Sequence, residues 1–181
     1  GHTTDGAGYL DSLMDCGFDY HDKKMTLLGA GGAATSIAVS AALSGMKSID
    51  IFKRKNATYE KTAEFTEKLN ANTNCSVQLF PMDDADAMKA SIGSSDILTN
   101  ATNVGMEDDK TSLVPRDFLR PELFVSDIIY HPAETTLLSY ARECGCQYKN
   151  GEDMLLFQGA ASFYEWTGQQ MPVEDVKRLV F

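Results

Sequence analysis

Short apolar runs alternate with helical patterns along the chain, and this alternation predicts an α/β protein. The expected architecture is a mainly parallel, six-stranded sheet with helices on both faces, because consecutive parallel strands need helical crossovers. A glycine-rich segment, Gly29-Ala30-Gly31-Gly32-Ala33, lies between the first apolar run and a helical stretch. Together these observations indicate a doubly wound sheet of the Rossmann type, with extra helices at the carboxyl end.

Each element has its own signal. Helices are marked by apolar residues three or four positions apart and by glycines that end them, such as Gly17 and Gly45. Strands are marked by apolar or alternating runs and by breakers such as Pro81. Asp5, in a polar stretch before the first helical pattern, is expected to be a helix N-cap. In chain order we predict a helix at 9–17, a strand at 25–28, a helix at 33–43, a strand at 48–52, a helix at 58–70, a strand at 77–80, a helix at 84–91, a strand at 96–99, a helical turn near 118, a strand at 123–129, a helix at 134–144, a strand at 147–149, and helices at 152–167 and 173–180.

Composition excludes several classes of function. The chain has 181 residues, 43% of them hydrophobic and 23% charged, which is typical of a soluble globular domain spanning 1–181. The net charge of −10 argues against binding to nucleic acid. No apolar stretch approaches the roughly 20 residues that span a bilayer, so we expect no membrane partner.

Cysteine and histidine usage indicates reduced thiols and no structural metal. Four cysteines are present, but Cys144-Gly145-Cys146 has no second pair, and the three histidines lack metal-ligand spacing. No signal peptide is visible, so we expect a cytoplasmic location.

The glycine segment fits a dinucleotide-binding turn. Gly29, Gly31 and Ala34 follow the spacing G-x-G-x-x-A after a strand and before a helix. Glycine at 29 permits a sharp turn, and glycine at 31 lets the backbone approach a pyrophosphate. The free N–H groups of the helix then face the phosphates. A tight turn into a close-packed helix is the alternative.

Polar loops follow four predicted strands, at 29–33, 53–56, 100–102 and 128–131. Parallel strands present their carboxyl ends at one edge of the sheet, and ligands bind there. Four loops at one edge support a binding site more strongly than the glycines alone.

The loop Lys53-Arg54-Lys55 stands where nicotinamide proteins place an acidic residue that binds the ribose. A cationic cluster suits a 2′-phosphate, which Arg54 can bind bidentately. The nearest acid, Asp50, lies inside the predicted strand, which also argues against an S-adenosylmethionine enzyme. Asn56 does not exclude NAD, and a solvated basic loop is the alternative.

Two further polar segments are ambiguous from the residues alone. Asn100-Ala101-Thr102 could contact the nicotinamide side of a cofactor, or could form a turn that bonds the local backbone. Gln158 lies among apolar residues in a predicted helix. Most glutamines at such positions simply form hydrogen bonds with other groups of the protein at the edge of the helix. The residues by themselves therefore indicate a dinucleotide-binding domain and no further.

Taken together, the motifs resemble the shikimate dehydrogenase family, and more closely its quinate/shikimate dehydrogenase branch. The resemblance covers essentially the whole chain and is extended by Phe163 and Trp166-Thr167-Gly168. The matching motifs, in order, are Thr4-Asp5-Gly6-x-Gly8, Gly29-Ala30-Gly31-Gly32-Ala33, Lys53-Arg54-Lys55-Asn56, Asn100-Ala101-Thr102-x-x-Gly105-Met106, Asp127-Ile128-Ile129-Tyr130-His131-Pro132 and Met154-Leu155-Leu156-x-Gln158-Gly159-Ala160.

The resemblance implies reversible, NAD(P)-dependent reduction of 3-dehydroshikimate, or of 3-dehydroquinate, with NADP favoured over NAD. It implies that Asp5 is catalytic, paired with a lysine that exchanges a proton with the reacting oxygen. Asp5 and Gln158 would bind the substrate. The cofactor would contact Gly29, Ala30, Gly31, Gly32, Ala33, Lys53, Arg54, Lys55, Asn56, Asn100, Ala101, Thr102, Asn103, Ile128, Ile129, Tyr130, His131, Gly151 and Met154.

The chain also departs from the family pattern. Thr3 stands where the family commonly has Asn, and Asn103 stands where relatives have Ser or Lys. Asp153 replaces a frequent glycine and is expected to place a carboxylate beside the nicotinamide site.

The family's amino-terminal substrate domain, with the catalytic lysine, has no counterpart in the chain. We therefore expect the helices at 5–17 and 152–180 to brace that domain, and exposed groups such as Phe163 and Trp166 to favour self-association as a homodimer. A non-catalytic NAD(P)-sensing module and a methylene-tetrahydrofolate dehydrogenase-like enzyme are the alternatives.

Overall fold

A computed structural model describes residues 3–180, so one of the three histidines, His2, lies outside the described part. Helices and strands alternate as the sequence predicts. The elements are α1 (Asp5–Asp15), β1 (Lys24–Leu28), α2 (Gly32–Leu43), β2 (Ser48–Lys53), α3 (Tyr59–Asn72), β3 (Ser76–Pro81), α4 (Ala85–Ser94), β4 (Ile97–Asn100), a 3₁₀ turn (Arg116–Phe118), β5 (Phe124–Asp127), α5 (Thr136–Glu143), β6 (Gln147–Lys149), α6 (Glu152–Thr167) and α7 (Val173–Val180).

The six strands form one parallel sheet in the order β3-β2-β1-β4-β5-β6. The chain winds outward from β1 to β3, then returns to the other side of β1 with β4. This reversal creates a crevice between the carboxyl ends of β1 and β4, where Leu28 pairs with Asn100. The predicted doubly wound Rossmann-type fold is confirmed.

Helices cover both faces of the sheet. One buried cluster joins α1, α2 and α3 to one face and includes Tyr9, Leu13, Ile37 and Leu69. The other joins α4 and α5 to the opposite face and includes Ile92 and Leu138. The apolar runs of the central strands are buried because both faces are covered.

Two predicted details are wrong. The first helix begins at Asp5 rather than Tyr9, and Thr4 rather than Asp5 is its N-cap. The apolar pattern begins only after the first turn of the helix, because that turn carries glycines instead of apolar side chains. These glycines let neighbouring helices approach the backbone closely. Strand β5 ends at Asp127, two residues before Ile129, because the Asp127 carboxylate accepts a hydrogen bond from the Ile129 N–H and turns the chain.

Glycines let α1 pack closely against α2 and α6. The Gly6 N–H donates to Ser36 Oγ over 3.0 Å, and a Cβ at Gly8 would lie 2.7 Å from the Cα of Gln158. The Thr4 and Ser162 hydroxyls are 3.0 Å apart. The first helix of the chain is therefore held against its sixth.

The described residues show neither membrane-spanning nor metal-binding features. No helix in this part of the chain is both long and apolar enough to cross a membrane. Within residues 3–180, no three His, Cys, Asp or Glu side chains are grouped as a metal would require. All four cysteines are free thiols.

Candidate functional site

Three adjoining cavities run along the carboxyl edge of the sheet, with volumes of about 400, 380 and 490 Å³. Cavity 1 lies between the glycine turn and the start of α3. Cavity 2 shares the turn with cavity 1 and reaches the end of β2. Cavity 3 shares Ala101, Thr102 and Asn103 with cavity 2 and extends to the loop after β5. The row follows the ends of β2, β1, β4 and β5.

The glycine turn forms the wall between cavities 1 and 2. Gly29 has φ of +106°, and its N–H donates to the Phe52 carbonyl over 2.9 Å. A Cβ at Gly29 would lie 2.7 Å from the Ala101 carbonyl oxygen, so the turn touches the end of β4. A Cβ at Gly31 or Gly32 would instead enter open space. That space lies at the amino terminus of α2, where helix N–H groups attract anions.

Two cations face cavity 2 at the end of β2. Lys53 is only 9% exposed and Arg54 is exposed, and both line the cavity. Among the described residues, neither side chain has a hydrogen bond or an ion pair. Lys55 is exposed but does not line any of the three cavities. No carboxylate from the described chain lines cavity 2, so its charge is positive.

The acid nearest to these cations points elsewhere. The Asp50 carboxylate is buried and pairs with Lys24 Nζ at 2.8 Å. It also accepts a hydrogen bond from Ser91 Oγ of α4 over 2.7 Å. Asn56 does line cavity 2, but its side-chain Oδ1 accepts from the Thr58 N–H over 3.1 Å. A ribose would therefore find an amide and not a carboxylate at this strand end.

The segment after β4 forms a turn that bonds the local backbone, one of the two roles that the sequence allowed, and its contact with a cofactor stays a prediction. Ala101, Thr102 and Asn103 line the cavities. The Asn100 side chain is buried and does not. Its Oδ1 accepts a hydrogen bond from Thr102 Oγ1 over 2.7 Å, and its Nδ2 donates to the Val104 carbonyl over 3.2 Å. Asn100 thus shapes the loop from within.

Asp127, at the end of β5, is completely buried beneath cavity 3. One carboxylate oxygen accepts from Asn100 Nδ2 and from the Ile129 N–H, each over 3.1 Å. The other accepts from Thr135 Oγ1 over 2.8 Å. Burial raises the pKa of Asp127, although the three hydrogen bonds act in the opposite direction.

The loop after β5 forms the far wall of cavity 3, as expected for residues 128–131. Ile128, Ile129, Tyr130 and His131 all line it, and half of the Tyr130 side chain is exposed. Met106 and Glu107, which were not among the predicted site residues, also line the cavity, and the Glu107 N–H donates to the His131 carbonyl over 3.1 Å.

Gly151 and Met154 do not line these cavities. A Cβ at Gly151 would collide with the Ile128 carbonyl, so this glycine lets α6 begin directly against the loop after β5. The Met154 side chain is buried in the core cluster of α1 and α2. Both residues adjoin the walls of cavity 3 only from behind, and their predicted contact with a cofactor stays a prediction.

Asp153 does not point towards cavity 3, contrary to expectation. Its carboxylate pairs with Lys149 Nζ at 3.2 Å and with Lys177 Nζ at 3.1 Å. Burial raises the pKa of Asp153, but the two ammonium groups outweigh it and lower the pKa overall. The carboxylate is turned aside because two cations hold it.

Asp5 and Gln158 lie on neighbouring helices, outside the row of cavities. Thr4 Oγ1 donates to Gln158 Oε1 over 3.4 Å, and Gln158 Nε2 donates to the Leu155 carbonyl over 3.1 Å. Asp5 is half-buried in the first turn of α1. Thr4, the residue before Asp5, thus contacts Gln158 across 154 positions of sequence, and the substrate contacts of Asp5 and Gln158 stay a prediction.

Sequence reasoning also missed the α3 side of cavity 1. The additional lining residues include Thr58, Lys61, Thr62 and Phe65. Their signal was available in the helical spacing, because residues 58, 61, 62 and 65 share one face of a helix that follows the cationic loop. Met82 lines cavity 2 just after β3, and no local motif marks it.

A parallel sheet in this order, with an open glycine turn at the point where the winding reverses, defines the Rossmann class of nucleotide-binding folds. Within that class, residues 151–181 match the profile of the shikimate 5′-dehydrogenase C-terminal domain. This match, at the carboxyl end of the chain, confirms the resemblance to shikimate dehydrogenases that the motifs indicate.

The similarity extends over the whole chain. Shikimate dehydrogenase (NADP(+)) from Listeria innocua is 49% identical over 183 aligned residues, which cover 100% of this chain and 63% of the relative. The crystal structure of shikimate 5-dehydrogenase from Listeria monocytogenes, in complex with shikimate and NAD, is 48% identical with a TM-score of 0.96, again covering 100% of this chain and 63% of that one. A shikimate dehydrogenase in complex with NADP+ is 32% identical with a TM-score of 0.84, covering 98% and 60% respectively. The chain thus spans less than two thirds of the length of these relatives.

Proposed function

We propose that this chain is the cofactor-binding part of an NAD(P)-dependent shikimate or quinate/shikimate dehydrogenase, an enzyme of aromatic amino acid biosynthesis. The observation that carries the proposal is the continuous row of three cavities at the point where the winding reverses. A relative of almost half-identical sequence is described as a complex with shikimate and NAD, which supports the same ligands here.

Each cavity suits one portion of a dinucleotide. The open space above Gly31 and Gly32 would take the pyrophosphate, with the N–H groups of α2 as donors. Lys53 and Arg54 would bind the adenosine ribose or its 2′-phosphate in cavity 2. Cavity 3, with Tyr130 at its wall, would hold the nicotinamide, which carries the hydride.

Asp5 and Gln158 would contact the substrate, because α1 and α6 pack together and Thr4, the residue before Asp5, contacts Gln158. The carboxylate of Asp5 accepts no hydrogen bond from the described side chains and is therefore available to a hydroxyl or a lysine. In the family resemblance, a lysine paired with Asp5 exchanges the proton of the reacting oxygen. No residue of this chain matches that lysine.

Self-association and a cytoplasmic location also remain part of the proposal. Trp166 is 83% exposed on α6, while Phe163 is half-buried. An indole this exposed beside α1 supports the expectation that α6 is covered by another part of the protein or by a second copy.

A direct titration tests the cofactor assignment. The 181-residue chain is mixed with NADPH or NADH, and the change in nicotinamide fluorescence is followed. We expect saturable binding of both nucleotides, and no turnover of shikimate by this chain alone. Absence of binding at millimolar concentration for both nucleotides would refute the assignment.

Activity assays of the full-length protein distinguish a dehydrogenase from a non-catalytic nucleotide-sensing module. Reduction of NADP+ or NAD+ in the presence of shikimate or quinate is expected, and the ratio of the two rates identifies the substrate. Cofactor binding without turnover of either acid would support the sensing module instead.

A further inference from the structure

We infer that Asp127 is a positioning residue that joins the two walls of the nicotinamide cavity. The inference rests on the proposed function and goes beyond it, because Asp127 lines none of the cavities and cannot touch the cofactor. Its role is to fix the loops after β4 and β5 relative to each other.

The first wall is held through Asn100. Asp127 accepts from Asn100 Nδ2 over 3.1 Å, which orients the amide so that Oδ1 faces Thr102. Oδ1 then accepts from the Thr102 N–H over 3.2 Å and from Thr102 Oγ1 over 2.7 Å. Thr102 lines both cavity 2 and cavity 3, so the carboxylate reaches the cavity lining in two steps.

The second wall is held directly. The Ile129 N–H donates to Asp127 over 3.1 Å and starts the turn that carries Ile129, Tyr130 and His131 into cavity 3. Thr135 Oγ1 donates to the other oxygen over 2.8 Å and accepts from the Leu138 N–H over 3.3 Å, at the start of α5. One buried carboxylate therefore fixes both ends of this loop.

The burial of Asp127 explains why its hydrogen bonds cannot be replaced by water. Asp127 is fully buried, so each of its three donors loses its partner if the carboxylate is removed, and water cannot replace it without opening the loops. The adenosine side depends on other contacts, chiefly the Gly29 turn and the end of β2. Both loops held by Asp127 border cavity 3, whereas cavity 2 is reached only through Thr102, so loss of Asp127 is expected to disturb the nicotinamide half of the site more than the adenosine half.

The test compares two ligands in the full-length protein. NADPH reports on the whole site, and ADP-ribose, which lacks the nicotinamide, reports on the pyrophosphate and adenosine half. For Asp127→Ala we expect kcat to fall at least about tenfold, because small displacements of reacting groups are costly. We also expect the fluorescence emission of NADPH to lose the change in wavelength that accompanies binding to the unsubstituted protein. The affinity for ADP-ribose is expected to change less than about twofold.

Asp50→Ala is the matched control, because Asp50 is also a buried, hydrogen-bonded carboxylate of the same sheet but contacts none of these loops. We expect it to lower the unfolding temperature while leaving the NADPH emission and the ADP-ribose affinity unchanged. If Asp127→Ala does not fold, Thr135→Val removes one donor to the carboxylate, together with the N-cap acceptor of the Leu138 N–H, and is expected to lower kcat about two- to fivefold with unchanged ADP-ribose binding.

The outcomes separate the two proposals. The positioning role would be overturned if the Asp127 or Thr135 variant lost affinity for NADPH and for ADP-ribose equally. It would also be overturned if the variant, like Asp50→Ala, kept the NADPH emission and the ADP-ribose affinity of the unsubstituted protein. If the unsubstituted protein binds neither ligand, the cofactor assignment itself is wrong.

Discussion

Gly29 and Gly31 lie two residues apart in one turn but serve different purposes. Gly29 is required by the fold, because its φ is positive and a Cβ would meet the Ala101 carbonyl. Gly31 has φ of −81° and open space around it, so nothing within the described chain excludes a side chain there. A glycine at this position is consistent with the proposal that a pyrophosphate approaches the backbone there.

Alanine substitutions separate these purposes. Gly29→Ala is expected to lower the free energy of unfolding by about 1–3 kcal/mol, through backbone strain and contact with Ala101. Gly31→Ala is expected to change it by less than about 1 kcal/mol but to abolish NADPH binding. Chemical denaturation and nucleotide titration of both variants measure this contrast. Normal NADPH affinity in Gly31→Ala would contradict the placement of the pyrophosphate.

Arg54 is expected to distinguish NADP from NAD. Arg54→Ala should weaken NADPH binding about tenfold or more, since a charge-assisted hydrogen bond to a phosphate is lost, and should change NADH binding far less. Lys55→Ala is the matched control, because Lys55 is an exposed cation of the same loop that does not line cavity 2. The phosphate role fails if Arg54→Ala reduces both affinities equally.

At the scale of elements, four alternating charges connect β6, α6, α7 and α1. Lys149 Nζ pairs with Asp153 and donates to the Ser12 carbonyl over 2.6 Å. Lys177 pairs with Asp153 and with Asp15, the latter at 2.7 Å. Asp153 therefore links the two lysines that contact α1, and adds to the packing of α1 on α6.

The Asp153→Asn variant tests this connection through its pH dependence. Because Lys149 is buried, the loss of charge is expected to cost about 1–3 kcal/mol at neutral pH. The pKa of Asp153 is lowered in the folded state, so its contribution is present above the unfolded pKa of about 4 and disappears as the pH falls through the folded value.

Thermal unfolding between pH 7 and pH 3 measures this difference. We expect the difference in unfolding temperature between wild type and Asp153→Asn to be constant from pH 7 to about pH 5. The two unfolding temperatures are expected to approach each other below about pH 4. Arg178→Ala, which removes an exposed pair with Asp175, is expected to change stability by less than about 0.5 kcal/mol. A difference that is undiminished at pH 3, below the unfolded pKa, would show that packing, and not charge, accounts for the role of Asp153.

At the scale of the whole molecule, local periodicity is enough to predict the alternating elements and the parallel sheet. Helix α6 was predicted at its observed bounds, because its pattern is long and its ends are marked by glycines. The start of α1 was missed, because Gly6 and Gly8 carry no apolar signal and are helical only through packing on α2 and α6.

The candidate site likewise contains some features that local patterns predict and others that they do not. The glycine turn and the loops at 53–56 and 128–131 were predicted because parallel strands bring consecutive loops to one edge. The inward orientation of Asn100 and the direction of Asp153 depend on partners far away in sequence, Asp127 and Lys177, which no local pattern reveals. Contacts of this kind become visible only when the fold is known.

The packing of α1 against α6 has a consequence for the order in which the protein is assembled during translation. Thr4 meets its partners on α6 only after 154 to 158 further residues have been made. At a synthesis rate of about 5–20 residues per second, that delay is roughly 8–30 seconds. During this interval α1 can rest on α2 but has one bare flank, so the nascent chain holds an unfinished surface that a chaperone or a neighbouring chain can reach. Within this part of the protein, α1 is therefore synthesised before the other described helices but is among the last of them to be fully enclosed.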